Sequence, residues 1–192
     1  MRGRQYEKKK ILILILIICA VGIVSGSIFW GLSKASKGSS ALYEQFMNEE
    51  NGKFQYMNIE WNSSVDIVQK NLPFDINEVN IGSETSAVYQ SKETFDFEGN
   101  SGIASFEFTD GKLKTVKFDF SHLQDDYKKW FDNQYEKLTK IYGKETKSQI
   151  GGGELFDSQI YTWEKDDTIL QLILLTGDSI NPAATLGVWT TG

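Results

Sequence analysis

Apolar positions follow three different rhythms along this chain. From Ile11 to Leu32 (ILILILIICAVGIVSGSIFWGL) they dominate 22 residues that carry no charge. As a helix this stretch is about 33 Å long, enough for a hydrocarbon core of about 30 Å. A single helix also pairs its own backbone amides, as the bilayer interior demands. Lys8-Lys9-Lys10, with Arg2 and Arg4, precede the stretch, whereas only Lys34 and Lys37 follow closely. That asymmetry puts residues 1–10 in the cytoplasm and the C-terminal part outside. Phe29-Trp30 falls where an aromatic suits the headgroup zone. A cleaved signal peptide is the alternative, with Ser33-Lys34-Ala35 or Ser39-Ser40-Ala41 as its site, although signal hydrophobic regions are shorter than this one. Cys19 follows Ile17-Ile18 and does not read as a lipidation signal. Gly22 and Gly26 form a GxxxG pair through which two such helices could dimerise.

The second rhythm is helical. After the polar linker 33–40 (SKASKGSS), a helix is expected from Ala41 to about Asn48, with Asn51-Gly52 ending it or turning a hairpin. Ser63 and Asp66 resemble a capping box, Val65, Val68 and Leu72 share one face, and Pro73 stops the run. The strongest stripe is Leu123, Tyr127, Trp130, Phe131, Leu138, Ile141 and Tyr142. It opens on a Ser121/Gln124 box and closes on Gly143.

The third rhythm has period two. It predicts strands over 54–61, 86–92, 94–98, 103–109, 112–120, 160–164, 168–175 and 185–190. Asp110-Gly111 is a strong hairpin turn, and Lys165-Asp166-Asp167 makes another. Ile169–Leu175 is nearly continuous apolar sequence and reads as a central strand. Segments 72–84 and 142–155 are expected as loops. Strand, helix, meander, helix, hairpin and strand imply an α+β domain over 41–192: an antiparallel sheet with two or three helices packed on one face. Helix, loop and hairpin recur in each half, a blurred internal echo.

Charge sharpens this division. The chain has 20 Lys and Arg against 26 Asp and Glu, net -6. Residues 1–37 hold seven of those bases and one acid, Glu7, so the remainder holds 13 bases and 25 acids, net -12. Such an acidic domain argues against a nucleic-acid partner. With 40% hydrophobic and 13% aromatic residues, the chain is not a disordered one. One Cys and one His exclude a disulfide framework and multi-histidine metal sites.

Ile59–Val68, then Phe106-Glu107-Phe108-Thr109-Asp110-Gly111-Lys112-Leu113, then Val116-Lys117-Phe118, resemble the helix–sheet modules of the β-lactamase-inhibitor-protein and SmpA/BamE lipoprotein group. The similarity spans Trp61 to Phe120, with a fainter second copy from Tyr127 to Leu175. Trp61-Asn62 stands where the group has Gly-Met, and the inhibitors' cysteines are missing. The resemblance implies a small module that works by protein–protein contact or envelope scaffolding. It transfers no functional residue.

Candidate chemistry is sparse. His122, the only imidazole, has no recognisable nucleophile motif beside it and sits at an expected helix start. Asp96, Glu98, Asn100 and Glu107 have the spacing of a calcium loop, but Ser101 replaces its turn glycine, and a hairpin with a Gly-Asn-Ser-Gly turn suits the same residues. Gly151-Gly152-Gly153 lacks the lysine of a phosphate loop. Glu49-Glu50, Asp125-Asp126 and Asp166-Asp167 are paired acids at turns and helix starts. Trp163 and Trp189 on late strands are core residues or, if exposed, partner anchors. The reading is a single-pass anchored, extracytoplasmic, non-catalytic envelope protein that binds a protein partner, with no cofactor, metal or catalytic residue. The alternatives are a released secreted inhibitor or binding protein, and a carboxylate-based cell-wall glycan hydrolase.

Overall fold

Aromatic side chains at every second position of adjacent strands build one wall of this protein. The structure, a computed structural model, describes residues 43–192 apart from positions 49, 84, 122, 124 and 153–155 and the side chains at 80–83. The membrane segment and Gly22/Gly26 lie outside the described residues, as does His122; among those described, no helix is long and apolar enough to cross a membrane. The described part belongs to one unit, Ala35–Gly192. It is an α+β structure: helices α1 (Val65–Asn71) and α2 (Tyr127–Tyr142) with strands β1 (Ile76–Ser83), β2 (Ser86–Ser91), β3 (Phe95–Phe97), β4 (Asn100–Thr109), β5 (Lys112–Ser121), β6 (Lys147–Gly152), β7 (Asp157–Lys165), β8 (Thr168–Gly177) and β9 (Ile180–Thr190).

All strand pairings are antiparallel, in the order β1-β2-β4-β5-β9-β8-β7-β6, with β3 beside β4. Each half of the chain starts with a helix and then lays strands from an outer edge to the centre, where β5 meets β9. The internal echo in the sequence has its counterpart in this mirrored order. Asp110 and Gly111 adopt the positive φ that the β4–β5 turn requires.

Phe106, Val116, Phe118, Phe120, Leu170, Leu172, Leu174, Leu186 and Val188 share one face, as the pairing register dictates, and belong to one buried cluster. Helix α2 packs there. Trp130 lies 5.3 Å from Phe120 edge-on, and Phe131 and Tyr135 stack on Tyr161. Segment 43–61 covers the neighbouring area, with Phe46 and Tyr56 against Phe118. Gly102 sits under the Phe120 ring, where an added Cβ would lie 2.6 Å from the ring edge. Gly102→Ala is therefore expected to push Phe120 off Trp130 and to cost about 1–3 kcal/mol by overpacking; chemical denaturation followed by tryptophan fluorescence reads it.

Several expectations are corrected. Residues 54–61 are not a strand: Phe54 makes one isolated bridge to Met47, and Met57 and Asn58 have positive φ. Phe54, Tyr56 and Ile59 all enter the core, which an alternating strand would prevent. The expected helix over 41–48 is, among described residues, a 3-10 turn at Glu44–Phe46. Helix α1 starts at Val65 with Ser64, not Ser63, at the cap position and no side-chain cap bond; Ser63 instead accepts a backbone bond from the Leu113 N–H (2.9 Å). Helix α2 starts at Tyr127 rather than beside Ser121, which ends β5, and Leu123 enters the core as loop. Gly143, at φ 82°, closes α2. The expected loops 72–84 and 142–155 contain β1 and β6, the two sheet edges. β9 begins before Pro182, which falls at a register break beyond the end of β5 and so interrupts no central pairing.

Candidate functional site

Strand residues that alternate with the core positions point to the other face of the sheet. Across β2, β4, β5, β9, β8 and β7 one register row reads Gln90, Ser105, Lys117, Gly187, Gln171 and Thr162. The next row carries Ile103, Asp119, Thr185, Ile173 and Ile160, and the row on the opposite side carries Glu107, Thr115, Trp189, Ile169 and Glu164. Val88, Ile173 and Leu175 on this face are buried but stand outside the main core cluster. Ile103, Ile160, Ile169 and Trp189 are half-buried.

A charged network lies at the centre of the face. Lys117 is only 5% exposed, and its ammonium donates to Glu107. Asp119 accepts a hydrogen bond from the Thr185 hydroxyl (2.7 Å) and a long one from Ser105 (3.5 Å), whose hydroxyl oxygen in turn accepts from Gln90 (3.3 Å). Burial pushes the Asp119 carboxyl above the usual range, and the Lys117 charge pulls in the opposite direction. Gly187 makes room for this arrangement. A Cβ there would come within 3.1 Å of the Lys117 side chain and 3.2 Å of the Trp189 ring, so a larger residue would require these neighbours to shift by a few tenths of an ångström. The result is a desolvated cation flanked by two carboxylates and bordered by a tryptophan and isoleucines.

The other candidates fall apart spatially. Phe95–Phe97 and β4 form a hairpin turning at Glu98-Gly99, both at positive φ, so Asn100 and Ser101 are strand residues rather than part of a longer turn. Glu98 receives hydrogen bonds from Gln134 and Lys137 instead of joining Asp96 around a cation. Among the described residues no group of acids, His or Cys is arranged to hold a metal ion. Asp125-Asp126 precede α2, and Asp167 pairs with Lys53, which holds its carboxyl below the usual range. Trp163 is 2% exposed and donates its ring N–H to the Gly143 carbonyl, so it is core, whereas Trp189 borders the network.

Sequence reasoning missed Lys117, Asp119, Ser105 and Thr185, and it placed Glu107 in a calcium loop instead of beside Lys117. The available signal was two opposite charges at alternate positions of β5, between Val116, Phe118 and Phe120. No known family model, curated protein or solved structure matches the chain.

Proposed function

We propose that the chain is a single-pass, membrane-anchored, extracytoplasmic protein that binds another envelope protein through the sheet face opposite α2, without catalysis. The observation that carries the binding role is the combination on that face of a half-buried tryptophan, several isoleucines and the buried Lys117 ammonium beside the half-buried Glu107 and Asp119. Tryptophan beside a buried cationic group is a composition found at the energetic centres of protein interfaces. The anchor reading is supported by the uncharged stretch 11–32 and the bases before it. The mirrored strand order supports a two-module chain of the helix–sheet kind.

Two measurements test this. A reporter fused after Gly192 is expected to be active outside the cytoplasm, and a cytoplasmic signal overturns the anchor. A photo-crosslinker at Ile169 is expected to capture one partner in intact cells, with capture lost in Trp189→Ala, while the same probe at exposed Ile67 on α1 captures none. Equal capture from both positions overturns the face assignment. The second reading, release after cleavage, is supported by the small residues at 33–41. It requires a mature N-terminus at Ser36 or Leu42, read by mass spectrometry of the medium.

A further inference from the structure

Strand order ends at β1 and β6, and the two edges are built differently. Native sheets protect their edges with charges, proline, bulges or covering elements. β1 carries Glu78 and Asn77 on its surface and breaks register between Val79 and Ser83. β6 pairs with β7 through six consecutive residues, Lys147 to Gly152, with no register break and no proline. Its one charge, Lys147, is tied to Glu164 on β7. All six residues are exposed, and Ile150 is 85% exposed although it points to the same face as the core. Beside it, between α2 and the edge, lies a cleft of about 490 Å³ with Phe131 and Leu174 in its lining.

We infer that β6 is the pairing edge for a second copy of this chain, joining the two sheets antiparallel about Ile150. In that register Ile150 faces Ile150 of the second copy, Gln149 faces its Gly151, and Ser148 faces its Gly152. Gln149 and Ser148 thus each meet a glycine, the two isoleucines meet each other, and no charge faces a like charge. Glycine inside a strand commonly marks where another backbone comes close. An antiparallel pair about a two-fold axis is self-complementary, so the contact closes at two copies. The two isoleucines leave water together, with a cleft on either side of them. Five paired residues, 148–152, fall short of the roughly 1,200 Å² of a standard interface, so in free solution the contact is weak. Holding both copies in one bilayer raises their effective concentration, a step that rests on the membrane-anchor reading.

The test uses the full chain in lipid vesicles, with Cys19→Ser removing its only cysteine. Cα atoms of facing residues in an antiparallel pair lie about 4.5–5.5 Å apart, within disulfide range. Under mild oxidation Ile150→Cys is expected to form a disulfide-linked dimer, whereas Glu78→Cys on the β1 edge is not. Ser148→Cys and Gly152→Cys are expected to remain monomeric alone and to link when mixed. The inference is overturned if Ile150→Cys links no better than Glu78→Cys, as would happen for a dimer held only by Gly22 and Gly26. It is equally overturned if the mixed pair links no better than either variant alone. Flotation of the vesicles reads the anchor separately: a chain that floats without linking sinks the edge pair, and a chain that links when concentrated without floating sinks the anchor.

Discussion

Phe118→Ala is expected to lower stability by about 4 kcal/mol, the usual cost of emptying a buried phenylalanine site. For a protein of this size that corresponds to a fall in Tm of about 8–16 °C. Phe118 is fully buried on β5, and its ring meets Tyr56 at 5.3 Å, Phe46 at 5.8 Å and Phe95 at 5.8 Å. It therefore joins three parts of the chain that have no regular secondary structure in common: the 3-10 turn, the irregular segment after it, and β3. None of these can collapse far into the void, because Phe46 and Tyr56 also pack on each other at 5.6 Å. Thermal unfolding followed by near-ultraviolet circular dichroism measures the loss. A change below about 1 kcal/mol, the level of an ordinary substitution, would mean that segment 43–61 is not seated on the sheet.

Lys117→Met removes the cation between two carboxylates. Its alkyl chain can still lie over Gly187, so the loss is electrostatic rather than steric. Removing one member of a buried ion pair costs about 3–5 kcal/mol. Glu107 reaches solvent, so a loss of about 2–3 kcal/mol at neutral pH is expected. The pH dependence carries the clearer signature. A carboxyl whose folded value is raised binds its proton more tightly folded than unfolded. Folding is then favoured as pH falls from that raised value towards the unfolded one near 3.8, and is disfavoured above it. Without Lys117 only the hydrogen bonds from Thr185 and Ser105 oppose the effect of burial on Asp119, and the Glu107 charge adds to it. The window widens upward, and the deficit of Lys117→Met shrinks as the solution is acidified. Adding Asp119→Asn is expected to recover part of the loss at neutral pH and to flatten the profile. Urea unfolding between pH 4 and 8 is the measurement. A deficit unchanged over that range would remove Asp119 from the network.

Legibility from sequence tracked burial. Strands β4, β5 and β8 and helix α2 lay open because their apolar residues repeat at the period of the element and face one core. The Asp110-Gly111 turn was equally plain, since the β4–β5 turn needs positive φ. β1 and β6 were missed because their sequences, INEVNIGS and KSQIGG, show no regular apolar alternation to read. Residues 54–61 were misread for the opposite reason. Met57, Ile59 and Trp61 do alternate with Phe54 and Tyr56 in sequence, but backbone bonds from Gln55 to Phe46 and from Met57 to Gln45 fold the segment against the turn before it, outside any ladder. The candidate site was hidden because its members come from β4, β5 and β9. In sequence Lys117 and Asp119 look like an ordinary wet strand face; pairing brings Ser105, Thr185 and Gly187 around them.

By itself the amino-acid sequence determined the α+β class, the amphipathic helix, the central strands and the split between a basic, apolar start and an acidic remainder. These follow from local period and composition, which each stretch carries without reference to any other. Tertiary structure alone decided the mirrored sheet order, the identity of the two edges and the charged network on the face opposite α2. Those depend on which distant strands hydrogen-bond and in what register, and a one-residue slip in register would send every one of these side chains to the opposite face.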